Sequence, residues 1–206
     1  MKKLLKNKLL LSGVVGLLLG AAIILGVRFV TYKMPAIVHY HANFAVYVNG
    51  VREPFKGLGY YEETAAKACM LTPVDTPKER AHMHDNVSDV VHVEDHLVTW
   101  GNFMQNLDWG LGNDYLKTKH TMLVNNDTST LSFILNGQQV ESISDQIIQD
   151  RDRLLISYGS ANSLTLQAQY KTIARTAGTY DSAKDPASCS AGHSEVTTLE
   201  RLQHLF

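Results

Sequence analysis

Six of the nine histidines of this chain lie in two short segments, and their spacing is typical of metal ligands. The first segment holds His39 and His41; the second is AHMHDNVSDVVHVEDH, at 81–96, and holds the other four. Residues i and i+2 point to the same face of a β-strand, so an HxH pair on a strand can chelate one ion. Unprotonated imidazole nitrogens bind zinc, copper and iron. The spacing therefore predicts a histidine-ligated transition-metal site.

The predicted ligands come from both segments, and they are His41, His82, His84 and His92. A second set of residues could supply additional ligands or the acceptors that orient the imidazole rings. This set comprises His39, Glu94, His96, Asp85 and Asp89. The alternative is that the histidines lie on solvated strand faces, where polar residues are common, and bind nothing. The same faces carry acids and almost no lysine, which favours the metal site.

The ligand types limit which metal ions the site would bind, but they do not determine what the bound ion does. A site made only of histidine favours Cu(II) or Zn(II), whereas two histidines and one carboxylate, such as His92, Glu94 and a remote histidine, would favour Fe(II). The site could bind, deliver or sense the ion. It could equally serve a metal-dependent oxidase or hydrolase with an open coordination position, in which Glu94 or Asp85 acts as general base.

The N-terminus predicts a membrane segment. Residues 1–8 are basic, and the uncharged run that follows them is rich in Leu, Ile, Val and Gly. This run predicts a transmembrane helix at 9–29. The run of nineteen residues from Leu9 to Val27 nearly spans a hydrocarbon core of roughly 30 Å. The alternative is a signal peptide, with Gly20 and Ala22 as small residues at a cleavage site. The lysines before the run place the N-terminus in the cytoplasm and the rest of the chain outside.

Two cysteines, Cys69 and Cys189, are the only ones in the chain. Outside the membrane such a pair most often forms a structural disulfide, although two unpaired thiols are the alternative. Closing a loop of about 120 residues would contribute about 4–5 kcal/mol in the chain-entropy model. Neither cysteine belongs to a CxxC pair, which disfavours a redox-active dithiol.

Residue periodicity predicts an α+β fold with a mainly antiparallel sheet in the exterior domain. Strict alternation from Val38 to Val48 predicts a half-buried strand with the histidines on its polar face, and VVHVEDH predicts a second strand. The dipeptides Asn49-Gly50 and Asn136-Gly137 predict two hairpins. Thr99 is the predicted N-cap of one helix, and a later helix is predicted to end at Gly178.

The exterior domain divides into a histidine-rich half at 34–118 and a second half at 119–206. The second half combines a β-grasp-like hairpin unit with a strand at 154–158, a helix and a C-terminal tail. The net charge of −1 and the lack of a basic patch interleaved with aromatics give no support to a nucleic-acid partner, and none is predicted. Membrane lipid around the N-terminal helix is the only predicted partner.

Several motifs together resemble a family of uncharacterised bacterial proteins with one N-terminal membrane helix: HYHANFAVYVNG, HMHDNVSDVVHVE, VTWGNF, FILNG and DRLLISYG. The histidine motifs alone are similar to those of more distant archaeal and bacterial extracytoplasmic proteins. The resemblance covers nearly all of the exterior domain and implies a shared histidine-lined site with no established activity. Some such proteins carry a disulfide-isomerase-like name, but this chain lacks the CxxC motif of that chemistry.

Overall fold

The computed structural model describes residues 2–32, 38–61, 77–182 and 198–203. The chain separates into two compact units, one comprising Met1–Ala36 with Gly192–Phe206 and the other Ile37–Ala191. Cys69 and Cys189 lie outside the described residues, so the predicted disulfide stays a prediction.

The first unit contains the long apolar helix α1 (Lys2–Thr31) and the short helix α6 (Thr198–Gln203). Within α1, Leu10–Thr31 is long and apolar enough to cross a membrane, and its most apolar part is not buried within the described residues. Arg201 of α6 donates to the carbonyl oxygens of Phe29 and Val30, at 2.8 and 3.0 Å. These carbonyls lie in the last turn of α1, and helices generally leave the carbonyls of their last turn to partners outside the helix.

The second unit is built on two sheets. Ten strands are present in its described part: β1 (Tyr40–Val48), β2 (Val51–Arg52), β3 (Ala81–His82), β4 (Val90–Val93), β5 (Gly110–Leu111), β6 (Tyr115–Lys117), β7 (Met122–Val124), β8 (Thr130–Leu135), β9 (Gln138–Val140) and β10 (Arg153–Gly159). The larger sheet has the order β3-β4-β1-β10-β8-β9, with β2 also paired to β1, and the smaller has the order β5-β6-β7. All pairings between these strands are antiparallel except that of β1 with β10. The α+β class and the mainly antiparallel sheet are confirmed.

The helices of this unit are α2 (Pro77–Arg80), α3 (Trp100–Asn106), α4 (Ser163–Lys171) and α5 (Ala177–Ser182), and a 3-10 turn covers Leu58–Tyr60. Against one face of the larger sheet lies the main core, which includes Phe44, Met83, Val91, Trp100 and Phe103. A smaller apolar cluster covers part of the other face and includes Tyr47, Leu155, Leu166 and Tyr170. The sheet is therefore covered on both sides.

Strand β1 lies in the middle of the larger sheet, and the prediction that it is half-buried is wrong. Every residue from His41 to Tyr47 is buried. The strand pairs with β4 on one edge and with β10 on the other, so strands from both sequence-predicted halves lie in one sheet. Alternation in the sequence distinguishes the two faces of a strand, but it does not reveal that a polar face is covered by other parts of the chain.

Both Asn-Gly dipeptides lie at turns between antiparallel strands. Asn49 and Gly50 have φ values of 50° and 81°, and Asn136 and Gly137 have φ values of 52° and 87°. Positive φ at both central residues belongs to the type I′ turn, which matches the twist of the flanking strands. The pairs that flank these turns are Val48 with Val51 and Leu135 with Gln138.

Helix α3 begins as the sequence predicts. The Thr99 hydroxyl accepts from the amide of Asn102, and the Asn102 side chain accepts from the amide of Thr99, at 3.2 and 3.1 Å. This reciprocal arrangement satisfies two amides that a helix start leaves without intrahelical partners.

We expect Thr99→Ala to lower the free energy of unfolding by about 1 kcal/mol, because the amide of Asn102 loses its acceptor. Thr99→Ser keeps the hydroxyl and serves as the matched control. Denaturant titration of both variants measures the difference; equal midpoints for the two would contradict the capping role.

The helix predicted to end at Gly178 is interrupted. Helix α4 ends at Lys171, and Gly178 lies inside α5. The Arg153 guanidinium donates to the carbonyl oxygens of Ile173 and Ala174, at 2.6 and 3.2 Å, between the two helices. These contacts satisfy carbonyls of the linking segment, so the chain turns there, and α5 packs against β1 as a separate helix.

Candidate metal centre

The strand register places three histidines side by side. His92 of β4 lies directly opposite His41 of β1, and on its other edge directly opposite His82 of β3. Directly opposed residues in an antiparallel pair have Cβ atoms about 4.5–5.5 Å apart on the same face of the sheet. His92 is therefore flanked on both sides by imidazole rings.

Two more histidines complete the group, which we call the histidine cluster: His39, His41, His82, His84 and His92. Ring centroids lie 4.5 Å apart for His39 and His92 and 4.6 Å apart for His84 and His92. The ring of His82 stacks on that of His92, with centroids 5.0 Å apart and planes inclined by 24°. His92 is thus the centre of the cluster.

A tight turn directs His84 toward His92. Asp85 and Asn86 have φ values of 55° and 56°, and the amide of Val87 donates to the carbonyl of His84 at 3.0 Å. Two consecutive residues with positive φ are sterically costly, and Asp and Asn tolerate them better than most residues. The turn also places the Asp85 carboxylate beside the ring of His84.

Four rings of the cluster have an outer nitrogen beside an oxygen acceptor. His41 Nδ1 donates to Asp181 Oδ1, His84 Nδ1 to Asp85 Oδ2 and His92 Nε2 to Glu94 Oε1, each at 2.8 Å. His82 Nδ1 donates to the carbonyl oxygen of Lys78 at 3.1 Å. Carbonyl and ionised carboxylate oxygens only accept, so each of these outer nitrogens carries the ring proton.

The inner nitrogens therefore have lone pairs. We use this name for His41 Nε2, His84 Nε2 and His92 Nδ1. His92 Nδ1 lies 2.9 Å from the first and 2.8 Å from the second. A neutral imidazole has one N–H, which here points outward. Facing lone pairs repel one another at this distance unless a proton or a cation lies between them.

An additional proton on His92 is strongly disfavoured. Burial holds the pKa of His92 far below its usual range, and the neighbouring His82, His41, His39 and His84 lower it further. A charged imidazolium would lose its hydration and would face other rings that repel a second charge. A metal ion binds neutral imidazole nitrogens through their lone pairs, so it suits this arrangement without an added proton.

Ligand distances are compatible with one ion. Metal–nitrogen bonds of about 2.0–2.1 Å place neighbouring nitrogens about 2.9 Å apart at right angles and about 3.4 Å apart at the tetrahedral angle. His39, His41 and His92 each offer a nitrogen, and these atoms all lie within 4.8 Å of one another. This triad is positioned to hold a metal ion, and His84 Nε2 lies beside it.

The cluster is largely withdrawn from solvent. The exposed fractions of His41 and His92 are both 1%, and those of His82 and His84 are 4% and 9%. Buried imidazoles without a partner would destabilise the fold, since each polar nitrogen would lose its hydrogen bonds to water. The outer acceptors satisfy one side of these rings, and a central ion would satisfy the other.

The remaining predicted residues have different positions. Glu94 lies on the outer side of His92, so it orients the ring and does not face the inner nitrogens.

Strand β4 ends at Val93, which corrects the prediction that it runs to His96. The Arg80 guanidinium contacts Asp95 at 2.6 Å, and the exposed His96 lies in the turn that follows the strand. The Asp89 carboxylate pairs with Arg52, at 3.5 Å.

Asp181 is the site residue that sequence reasoning missed. It belongs to α5, 140 positions after His41, in a segment with no ligand motif. No periodicity or spacing in the sequence connects these two residues. Comparisons with family models, curated proteins and solved structures give no match to this chain, so the interpretation of the site rests on its geometry.

Proposed function

We propose that this protein is a membrane-anchored, extracytoplasmic domain that binds one transition-metal ion through the histidine cluster. The observation that carries the proposal is the convergence of the inner nitrogens, whose protons are directed outward by acceptors. His41, His84 and His92 are the proposed central ligands, and His39 is within reach as a further one.

Charge compensation supports a divalent ion. Neutral imidazoles do not balance a charge of +2, and an uncompensated charge in a buried site is costly. The carboxylates of Asp85, Glu94 and Asp181 each accept from a histidine of the cluster. Such carboxylate–histidine pairs raise the basicity of the ligand nitrogen and partly neutralise the ion.

The nature of the donors favours Zn(II) or Cu(II). Nitrogen donors suit both ions, and the gathered donors in the described part of the cluster are imidazole nitrogens. The set of two histidines and one carboxylate that suits Fe(II) is disfavoured, because the Glu94 carboxylate lies on the far side of the His92 ring. Zn(II) and Cu(II) are therefore the ions to test first.

Burial favours binding of the ion over catalysis by it. A catalytic metal keeps an open position for water or substrate. The rings of His41 and His92 are almost fully enclosed, so we favour binding, delivery or sensing as the role.

The apolar stretch of α1 supports anchoring, with the lysines that precede this stretch in the cytoplasm and the cluster outside. A cleaved signal peptide would have the same character, and retention of the full-length chain in membranes after an alkaline wash distinguishes the two.

Metal analysis of the purified full chain tests the function. The protein is extracted in detergent, stripped with a chelator and titrated separately with Zn(II) and Cu(II). We expect one ion per chain for at least one of the metals, with sub-micromolar affinity measured by competition with a chromogenic chelator. Less than a tenth of an ion per chain with both metals would refute the proposal.

A further inference from the structure

The short helix α5 contributes to the candidate site through a single carboxylate. Asp181 Oδ1 accepts from His41 Nδ1 at 2.8 Å, and Tyr180 places its ring 5.7 Å from the His41 ring. His41 is buried and belongs to the central strand, whereas α5 follows it by more than 130 positions. A ring nitrogen of the sheet is thus paired with a group from another part of the chain.

We infer that Asp181 is a positioning residue for the metal, and that metal binding and the docking of α5 on the sheet are thermodynamically linked. The inference rests on the proposed function. Asp181 holds the ring proton of His41 on Nδ1, which leaves Nε2 as the ligand atom. Loss of the contact would allow the proton to move to Nε2, and His41 would then turn an N–H toward the ion.

The location of Asp181 is fixed from both sides. Its second oxygen, Oδ2, lies 3.4 Å from Nε and from Nη2 of Arg151. The backbone amide of Arg151 donates to the carbonyl of His41 at 2.7 Å, so the same residue contacts both partners of the pair. The carboxylate is therefore held between a guanidinium and an imidazole, and each oxygen has its own donor.

Asn43 attaches the start of α5 to β1. Its side-chain oxygen accepts from the amides of Thr176 and Ala177, at 3.1 and 2.9 Å, and its amide nitrogen donates to the Thr176 hydroxyl at 3.1 Å. Asn43 is 1% exposed and lies two residues after His41 on the same strand. These bonds orient α5 so that Asp181, one turn later, reaches the histidine.

The contact is better shielded than its counterpart at His84. The Asp181 side chain is 22% exposed, whereas that of Asp85 is 66% exposed. Water screens a hydrogen-bonded charge less when the charge is partly buried, so the Asp181 contact is the stronger determinant of tautomer. Outer partners of metal-bound histidine typically contribute 10–100-fold to metal affinity.

The effects of α5 docking and of metal binding on each other are reciprocal, because the two equilibria are linked. If docking of α5 raises metal affinity by a given factor, metal binding stabilises the docked helix by the same factor. The exposed Arg175 lies in the segment between α4 and α5, where a protease can cleave once α5 detaches. Trypsin cleavage after Arg175 therefore reports docking independently of metal affinity.

The experiment uses the full chain in detergent, with Asp181→Ala, Asp181→Asn and the control Asp150→Asn. Asp150 also neighbours Arg151, at 3.6 Å, and is exposed. We expect Zn(II) affinity to fall about 10–100-fold in Asp181→Ala, less in Asp181→Asn, and less than twofold in the control. Zn(II) should slow cleavage after Arg175 in the wild type and the control, and lose this effect in Asp181→Ala.

Nuclear magnetic resonance of isotope-labelled histidine rings separates positioning from a general structural role. In the Zn(II)-bound wild type, the His41 signals should report a proton on Nδ1 and metal on Nε2, and Asp181→Ala should change them. Unchanged His41 signals, or unchanged affinity in Asp181→Ala, would overturn the inference while leaving the metal site in place. Absence of Zn(II) and Cu(II) binding by the wild type would instead refute the proposed function on which it rests.

Discussion

Replacing His92 with glutamine is expected to weaken Zn(II) and Cu(II) binding on the order of 100-fold or more, beyond the 10–100-fold typical of outer partners. His92 Nδ1 is the atom that both other inner nitrogens approach, at 2.9 and 2.8 Å. The substitution removes a ligand and also the ring against which the neighbouring rings pack. No other single change should disrupt the cluster as much.

His96→Gln is the matched control for this experiment. It makes the same chemical change four positions later, on an exposed residue in the turn after β4. The control should bind metal within about twofold of the wild type. Competition titration measures both affinities, and circular dichroism verifies that both variants are folded. A folded His92→Gln variant with wild-type affinity would contradict the proposed ligand set.

A low pH is expected to destabilise the metal-free protein through the protonation of His92 in the unfolded chain. Burial and the neighbouring histidines depress the pKa of His92 in the folded state, whereas in the unfolded chain it is about 6.5. Below pH 6.5 the unfolded chain binds a proton that the folded domain does not bind, so the free energy of unfolding decreases as the pH falls. Between pH 7.5 and pH 5.0 this one histidine should remove about 2 kcal/mol.

Urea titrations of the chelator-treated protein at pH 7.5 and pH 5.0 measure the decrease in the free energy of unfolding. The His92→Gln variant serves as the reference, because it lacks the titrating ring and should lose less stability over the same range. Addition of saturating Zn(II) at pH 7.5 should raise the free energy of unfolding, by about 2.7 kcal/mol when free metal is 100 times the dissociation constant. An identical pH dependence of wild type and variant would contradict the depressed pKa.

The ligand types and half of their arrangement were predictable from the sequence. Two-residue periodicity predicts that His39 and His41 share one face and that His82 and His84 share another, because successive side chains on a strand alternate. In the structure His39 precedes β1, and His84 follows β3, where a turn directs its ring. The N-cap at Thr99 was predictable for the same local reason, since a helix start needs a side-chain acceptor within three residues.

Pairing between distant segments was not predictable in the same way. The opposition of His92 to both His41 and His82 depends on strand register, which is set by the whole apolar core. The contribution of Asp181 depends on a break between α4 and α5, and the Arg153 guanidinium that satisfies the carbonyls at this break comes from another strand.

The sequence by itself determined the chemistry of this protein: imidazole donors at chelating spacings, nearby carboxylates and an N-terminal helix apolar enough for a membrane. Only the tertiary structure decided which nitrogen of each ring faces the others. That choice depends on which oxygen accepts the opposite proton, and the acceptors for His41 and His82 come from α5 and α2. Ligand identity and the acceptors of His82, His84 and His92 are local in the sequence, whereas the acceptor of His41 and the convergence of the rings arise from segments that are remote in the chain.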